Sequence, residues 1–329
     1  MLFLIVLNIL FSIGLFSFAL ILSKFFSLYD YPNDAKLHNS PVSYLGGITV
    51  MISSVILCST IIDNINLNYI FFFSFVTSLV FILDDKYNLS QIYRLIITLF
   101  ITLIFIYISN IFINDFTFLF LGNGIELNIF SALFTSICII LLINSNNYFD
   151  GIDGVAGSLY LIFLLNIFFI FYFNDIILFE YLILCLPIII FLFFNFNNKF
   201  KMFLGNNGSA SLGFSVATLI IYCSQNFNLF FPAPFVIWVV AIFFYEFLSI
   251  NLSRIKRNIN IFQGGRDHLH YILFNKFKSK IITILYIICL NQIFFIFGVY
   301  LNNFNDFISY FLFIVVFFIY FFIREKFIS

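Results

Sequence analysis

The chain has 329 residues, 63% of them hydrophobic and only 9% charged, and its mean hydropathy is +1.11. A soluble domain carries roughly a quarter charged residues, so a water-soluble globular protein is excluded. Net charge is zero, which gives no reason to expect a nucleic-acid partner.

Eleven apolar stretches follow one another, near 2–23, 45–62, 69–83, 92–109, 129–143, 157–173, 176–194, 211–223, 230–250, 281–299 and 306–323. A spanning helix takes about 20 residues, so eleven would use roughly 220 and leave no room for a separate globular domain. The expected fold is all-α: one polytopic integral membrane domain over residues 1–329, with about 11 transmembrane helices. The first stretch has no basic residue before it and Lys24 after it, the reverse of a cleavable signal, so it reads as a retained helix. The 55 phenylalanines take the place that Leu has in other membrane proteins. Cys58, Cys138, Cys185, Cys223 and Cys289 show no CxxC spacing and fit small buried apolar residues better than disulfides or metal ligands.

Charge placement supplies an orientation. With the connections numbered in order, all fifteen Lys and Arg fall in odd ones or at the C-terminus, and even connections carry only Asp63, Asp115, Glu126, Asp175, Glu180 and Asp306. Nine acids accompany the fifteen basic residues, net +6 on one side against −6 on the other. The positive-inside rule makes the odd loops cytoplasmic, with the N-terminus outside and the C-terminus inside.

Polar clusters sit in these odd loops. The first contains His38 with Asp30, Pro32 and Lys36. The loop after the third span opens Asp84-Asp85-Lys86; adjacent carboxylates at a membrane surface repel each other unless a cation or proton is shared between them. After the fifth span comes INSNNYFDGIDGVAG. Asn144, Asn147 and Asp150 are three apart and share a face if the helix extends this far, and Asp153 follows at the same spacing. A re-entrant turn would explain the glycines but not the hydrogen-bonding side chains.

The loop after the seventh span, KFKMFLGNNGSASLGF, places Gly205-Asn206-Asn207-Gly208-Ser209 at a helix start, where backbone N–H groups can meet phosphate. Lys199 and Lys201 beside it are positive-inside anchors or anion contacts. The longest basic loop, SRIKRNINIFQGGRDHLHYIL, holds Arg266, Asp267, His268 and His270. With no Cys or third His nearby, anion binding is favoured over structural zinc.

Carboxylates, carboxamides, histidines and basic groups thus gather on one membrane face. That set suits Mg²⁺-dependent phosphoryl transfer (Mn²⁺ is possible), where cations neutralise a diphosphate. The apolar setting points to a lipid phosphate as one reactant. A transporter would place ionisable residues mid-span.

On DYPNDAKLHNSPVSYLGGI, Asp84-Asp85 with Arg94, NSNNYFDGIDGVAG, FLGNNGSASLG and GGRDHLHYIL, in this order from Asp30 to Leu273, the chain resembles the polyprenyl-phosphate N-acetylhexosamine-1-phosphate transferases of glycosyltransferase family 4. Their superfamily includes the phospho-MurNAc-pentapeptide translocase of peptidoglycan synthesis. The resemblance implies transfer of a sugar-1-phosphate from a UDP-N-acetylhexosamine to undecaprenyl phosphate, with release of UMP. It implies a multi-pass protein of the bacterial inner (plasma) membrane, active at the cytoplasmic face. Of the residues, Asp84 or Asp85 matches the proposed base on the lipid phosphate. Asp150 and Asp153 match the nucleotide and catalytic cluster, and Asn147 and Asn206 the metal positions. His268 is matched as catalytic, and Arg266 and His270 to the diphosphate and sugar side. Lys36, His38, Arg94, Asn144, Gly205 and Ser209 are further substrate-binding candidates.

Three departures stand out. The usual Gly-Asp-x-Gly-Ser reads Gly205-Asn206-Asn207-Gly208-Ser209, the usual HxHH reads His268-Leu269-His270-Tyr271, and the ninth helix carries Glu246 in place of the aspartate. The absence of three consecutive histidines disfavours the translocase. Asn206 raises the alternative of an inactive relative that binds lipid phosphate or nucleotide sugar.

Overall fold

The computed structural model describes residues 2–32, 40–116, 125–260, 265, 267–302 and 304–328. Helix α1 (Leu2–Phe26) leads to strand β1 (Tyr29–Asp30), which pairs antiparallel with β2 (Val42–Ser43). Then come α2 (Gly46–Thr60), α3 (Ile65–Tyr87) and α4 (Gln91–Ser109). A second short pair, β3 (Asp115–Phe116) with β4 (Ile125–Glu126), precedes α5 (Ser131–Asn147). The chain continues through α6 (Val155–Phe173), α7 (Glu180–Ile183), α8 (Cys185–Phe196), α9 (Gly205–Asn226), α10 (Ala233–Val239) and α11 (Ala241–Lys256). It ends with α12 (Leu269–Phe277), α13 (Lys280–Leu301) and α14 (Asp306–Ile328).

Nine of the eleven apolar stretches fall largely on a single helix, the other two are each divided between two helices, and the fold is an all-α polytopic membrane protein. Among the described residues seven helices are long and apolar enough to cross a membrane, or eight if α10 and α11, bent by 68°, count as one. The stretch near 176–194 is divided into α7 and α8. Pro187 cannot donate to the carbonyl of Ile183, and its ring crowds that group, which is where α7 stops. Large apolar side chains face outward on α1, α4, α13 and α14, Phe3 and Tyr107 among them, as lipid contact requires.

Helix α9 is the axis of the bundle. Every residue from Asn207 to Cys223 is buried, and its closest partners are α3 and α5. Its Gly, Ser and Ala residues lower its hydropathy but let neighbouring backbones approach. At Gly47 and Gly208 the α2 and α9 backbones touch, so a side chain at either would collide with the other. This crossing sets the N-terminus of α9 beside the C-terminus of α3.

Candidate active site

The polar motifs converge at the N-terminus of α9. Asn88, in the left-handed region at φ 51°, ends α3 by returning its N–H to the Asp84 carbonyl at 2.8 Å, leaving Asp84 and Asp85 in the last turn. Asp85 binds the start of α9 with both oxygens. Oδ1 accepts from the N–H of Asn206 at 2.8 Å, and Oδ2 accepts from the N–H of Asn207 at 3.0 Å and its side-chain Nδ2 at 2.7 Å. A carboxylate so placed satisfies exposed helix donors and complements the helix dipole. Gly205 permits this approach: its φ is +75°, and a Cβ there would come within 2.7 Å of the Tyr44 carbonyl. Asn207 extends the joint, donating to the Tyr44 carbonyl at 2.7 Å and accepting from the Ile48 N–H at 2.8 Å.

Asp84 faces the other way. Its Oδ2 accepts from Arg94 Nη1, in the first turn of α4, and from Asn206 Nδ2, both at 3.2 Å. Asn206 Oδ1 accepts from Asn147 Nδ2 at 3.2 Å, and the same Nδ2 donates to Ser209 Oγ at 2.9 Å. Arg94, Asp84, Asn206, Asn147 and Ser209 therefore form one chain of polar contacts across α4, α3, α9 and α5.

A cavity of about 400 Å³ opens beside this chain, lined in part by Asp30, Asp85, Asp150, Asp153, Asn206, Lys201 and Lys280. Asp153 Oδ2 accepts from Lys201 at 2.7 Å and from Lys280 at 2.5 Å. Asp150 differs. Among the described residues its carboxylate meets no hydrogen-bond donor and no cation. Burial pushes its carboxyl well above the usual 3.8, and the charges of Asp85 and Asp153 push it further. A carboxylate in that position is costly unless it binds a proton or a cation.

The histidines stand on the α12 side. His268, preceding α12, lies 4.7 Å from the Tyr148 ring and is stacked on His270 at 5.7 Å. Burial lowers the basicity of His268 and lowers that of His270 further, so both are neutral near pH 7. His270 and Tyr271 pack directly on Gly151, where any side chain would collide with them, which joins this side to the Asp150 loop.

Among the described residues no three acidic, histidine or cysteine side chains converge on one metal position. Mg²⁺ needs less than that, because it is commonly held by one or two carboxylates together with substrate phosphates and waters. The Asp150 carboxylate, unpartnered among the described residues, and the Asn206 carboxamide lining the same cavity fit this mode.

Of the residues singled out from sequence, Asp84, Asp85, Arg94, Asn147, Asp150, Asp153, Gly205, Asn206, Ser209, His268 and His270 are brought into this region. Lys36, His38 and Arg266 lie outside the described residues. Asn144 donates to the Ile140 carbonyl of its own helix at 2.7 Å and does not join the contacts around Asn206. Sequence reasoning missed four residues. Asn207 is the anchor of the α9 start. Asn146 donates to the Ser209 carbonyl at 2.7 Å, and Asn195 accepts from the Gly154 N–H at 2.7 Å. Lys280 is one of the two cations on Asp153. The Asn146 and Asn207 positions were visible in their motifs, but nothing local marked which carboxamide faces inward.

The family model described as Glycosyl transferase family 4 matches residues 67–224, which include Asp84-Asp85, the Asn147–Asp153 segment and the start of α9. The chain is 26% identical over 265 residues to the undecaprenyl-phosphate alpha-N-acetylglucosaminyl 1-phosphate transferase of Escherichia coli (strain K12), covering 78% of this chain and 71% of that one. It is 29% identical over 293 residues to the probable undecaprenyl-phosphate N-acetylglucosaminyl 1-phosphate transferase of Bacillus subtilis (strain 168), covering 86% and 80%. Ordered motifs, the helical membrane fold and these matches agree, and all of them liken the chain to glycosyl transferase family 4.

Proposed function

We propose that this protein transfers N-acetylhexosamine 1-phosphate from a UDP-linked donor to undecaprenyl phosphate, releasing UMP. An oxygen of the lipid phosphate attacks the β-phosphorus of the donor, the bond from that phosphorus to the bridging oxygen breaks, and UMP departs with the electron pair. Such transfer depends on positioning and charge neutralisation. A phosphate monoester has its second pKa near ~6 and is largely dianionic at neutral pH, so strong base assistance is not required. Asp85 accordingly acts as the positioning group that holds the α9 start. The observation that carries the reading is the Asp150 carboxylate, without a donor or cation among the described residues, in the cavity where these motifs meet.

Mg²⁺ is the proposed cofactor, held by Asp150 and Asn206, with Asn147 beside them; Mn²⁺ would suit the same oxygens. When bound, it neutralises the diphosphate and the leaving UMP. Lys201 and Lys280 give the cavity its positive charge, and neutral His268 and His270 present nitrogens to the sugar-phosphate side. We place the site at the cytoplasmic face of a bacterial inner membrane, with eleven spans and the N-terminus outside, on the distribution of the fifteen basic residues.

Release of UMP by the purified protein, given UDP-N-acetylglucosamine and a short polyprenyl phosphate, tests the activity. Asn206→Asp tests the metal position. The substitution removes the donor to Asp84 and sets two carboxylates together, a repulsion of roughly 4 kcal/mol at 4 Å in a partly screened site, which a cation relieves. The expected result is a Mg²⁺ midpoint at least about fivefold lower, equivalent to about 1 kcal/mol, with a lower melting temperature in EDTA. An unchanged midpoint and unchanged maximal rate would remove residue 206 from the metal.

A further inference from the structure

We propose that Arg324, on the C-terminal helix α14, and Glu246, on α11, form a buried clamp that fixes the backbone on both sides of His268. Helix α14 is thereby a positioning element of the active site. Glu246 and Arg324 are buried to 0% and 1% exposure and pair at 3.0 Å. Tyr320, one turn before Arg324, donates its hydroxyl to the same Glu246 oxygen at 2.6 Å. Two charges withdrawn from water are costly to keep, and an apolar pair of similar volume is often at least as stable, so retention of this pair calls for a task beyond holding α11 to α14.

The remaining contacts supply it. Glu246 Oε1 accepts from the N–H of Leu269 at 2.6 Å, the residue after His268. Arg324 Nη2 donates to the carbonyl of Asp267, the residue before it. The two peptide groups that flank His268 are thus gripped by the two members of one ion pair. The N-cap residue of α12, His268, makes no side-chain cap hydrogen bond, and Glu246 serves as a cap from another helix and places negative charge at the helix's positive end. A second arginine completes the frame: Arg254 holds the Asp267 carboxylate through Nε at 2.9 Å and Nη2 at 2.7 Å. This bidentate pair and the proximity of Arg254 outweigh burial and keep the Asp267 carboxyl below its usual range. With its flanking peptides held, the His268 ring is left stacked on His270 and in tilted contact with Tyr148.

The inference rests on His268 contacting substrate, and its test separates the two claims. Arg324→Gln, Arg324→Lys and Glu246→Gln are made alone, and the arginine variants are also combined with His268→Ala. Arg324→Gln is expected to lower transfer at least tenfold in the native background and less than twofold when His268 is already Ala. Arg324→Lys, which keeps the charge but not the planar fork, falls between. Equal losses in both backgrounds would overturn the clamp. A second arm needs no turnover. Diethyl pyrocarbonate modification of His268, read by peptide mass spectrometry, should rise at least fivefold in Arg324→Gln and Glu246→Gln. Maleimide reaction of buried Cys58 and Cys223 should not change. Unaltered His268 modification, or newly reactive cysteines, would overturn the clamp. If His268→Ala itself leaves transfer intact, the site reading fails and the modification arm alone decides the clamp.

Discussion

Asp150→Asn is expected to reduce sugar-phosphate transfer by at least about 10²-fold, the scale for loss of a preorganised charge stabiliser, and to raise the melting temperature of the metal-free protein at neutral pH. Both effects come from one fact: the Asp150 carboxylate stands in the cavity without a donor or cation among the described residues. An amide of the same shape removes the cost of ionising it there, and with it the charge that would hold a divalent ion. The pH dependence has a definite sign. Burial, then Asp85 and Asp153, raise the carboxyl well above 3.8 in the folded chain, so the folded state binds more protons than the unfolded one above that pH. Stability therefore falls as pH rises from about 4 through the folded pKa and levels off beyond it. Asp150→Asn should flatten that decline. Added Mg²⁺ should stabilise the native protein, by about 2.7 kcal/mol at a hundredfold excess over its Kd, and stabilise the variant much less. Equal thermal shifts with Mg²⁺ in both proteins would remove Asp150 from the metal.

Asp85→Asn should lose transfer to a similar degree, at least about 10²-fold, but with the opposite effect on stability. Here every oxygen is in use: three N–H donors from Asn206 and Asn207 point at the carboxylate. An amide nitrogen in place of either oxygen sets donor against donor. Loss of one such charged hydrogen bond costs roughly 1.5–3 kcal/mol, and the start of α9 then shifts away from Asp84 and the cavity. Thermal unfolding of the detergent-solubilised protein should begin several degrees lower, where Asp150→Asn begins higher. Two aspartates 65 positions apart, facing one cavity, thus differ in the sign of their melting shift because one is fully bonded and the other is not. If both variants shifted in the same direction, the division of roles between them would be wrong.

Much of this was legible in the sequence, for reasons that can be located. Lipid-facing helices must be apolar over their length, so composition alone marked the apolar stretches, nine of which fall largely on a single helix and two of which are divided between two helices. Polar residues at a membrane face are costly and cluster where they are used, which marked Asp84-Asp85, the Asn147–Asp153 segment and the α9 turn. Less legible was how each helix is interrupted or buried. Pro187 signalled the break at Ile183, whereas the bend between α10 and α11 carries no proline or glycine at its apex. The central position of α9 followed from its small residues meeting α2, α3 and α5, a tertiary property. The three-residue spacing of Asn144, Asn147 and Asp150 was a helical argument. It failed because α5 ends at Asn147, after which the chain turns and carries Asp150 to the cavity while Asn144 remains on the helix. Asn146 and Asn207, adjacent to the carboxamides chosen, hold α9 in place through contacts 63 and 122 positions away in sequence, which no local pattern reports.

The central claim, that a sugar-1-phosphate rather than a sugar is passed to the lipid, is tested most directly by the fate of the two donor phosphates. Purified protein is given UDP-N-acetylglucosamine labelled with ³²P at the β-phosphate, a short polyprenyl phosphate and Mg²⁺, and the organic and aqueous phases are counted separately; a second reaction carries the label at the α-phosphate. The account predicts that β-label enters the organic phase in a diphospho-linked product, that α-label stays in the aqueous phase as UMP, and that Asp150→Asn lowers both the β-label transfer and the UMP release by at least about 10²-fold. Release of β-label as UDP, or β-label confined to the aqueous phase while the native protein consumes the donor, would contradict it.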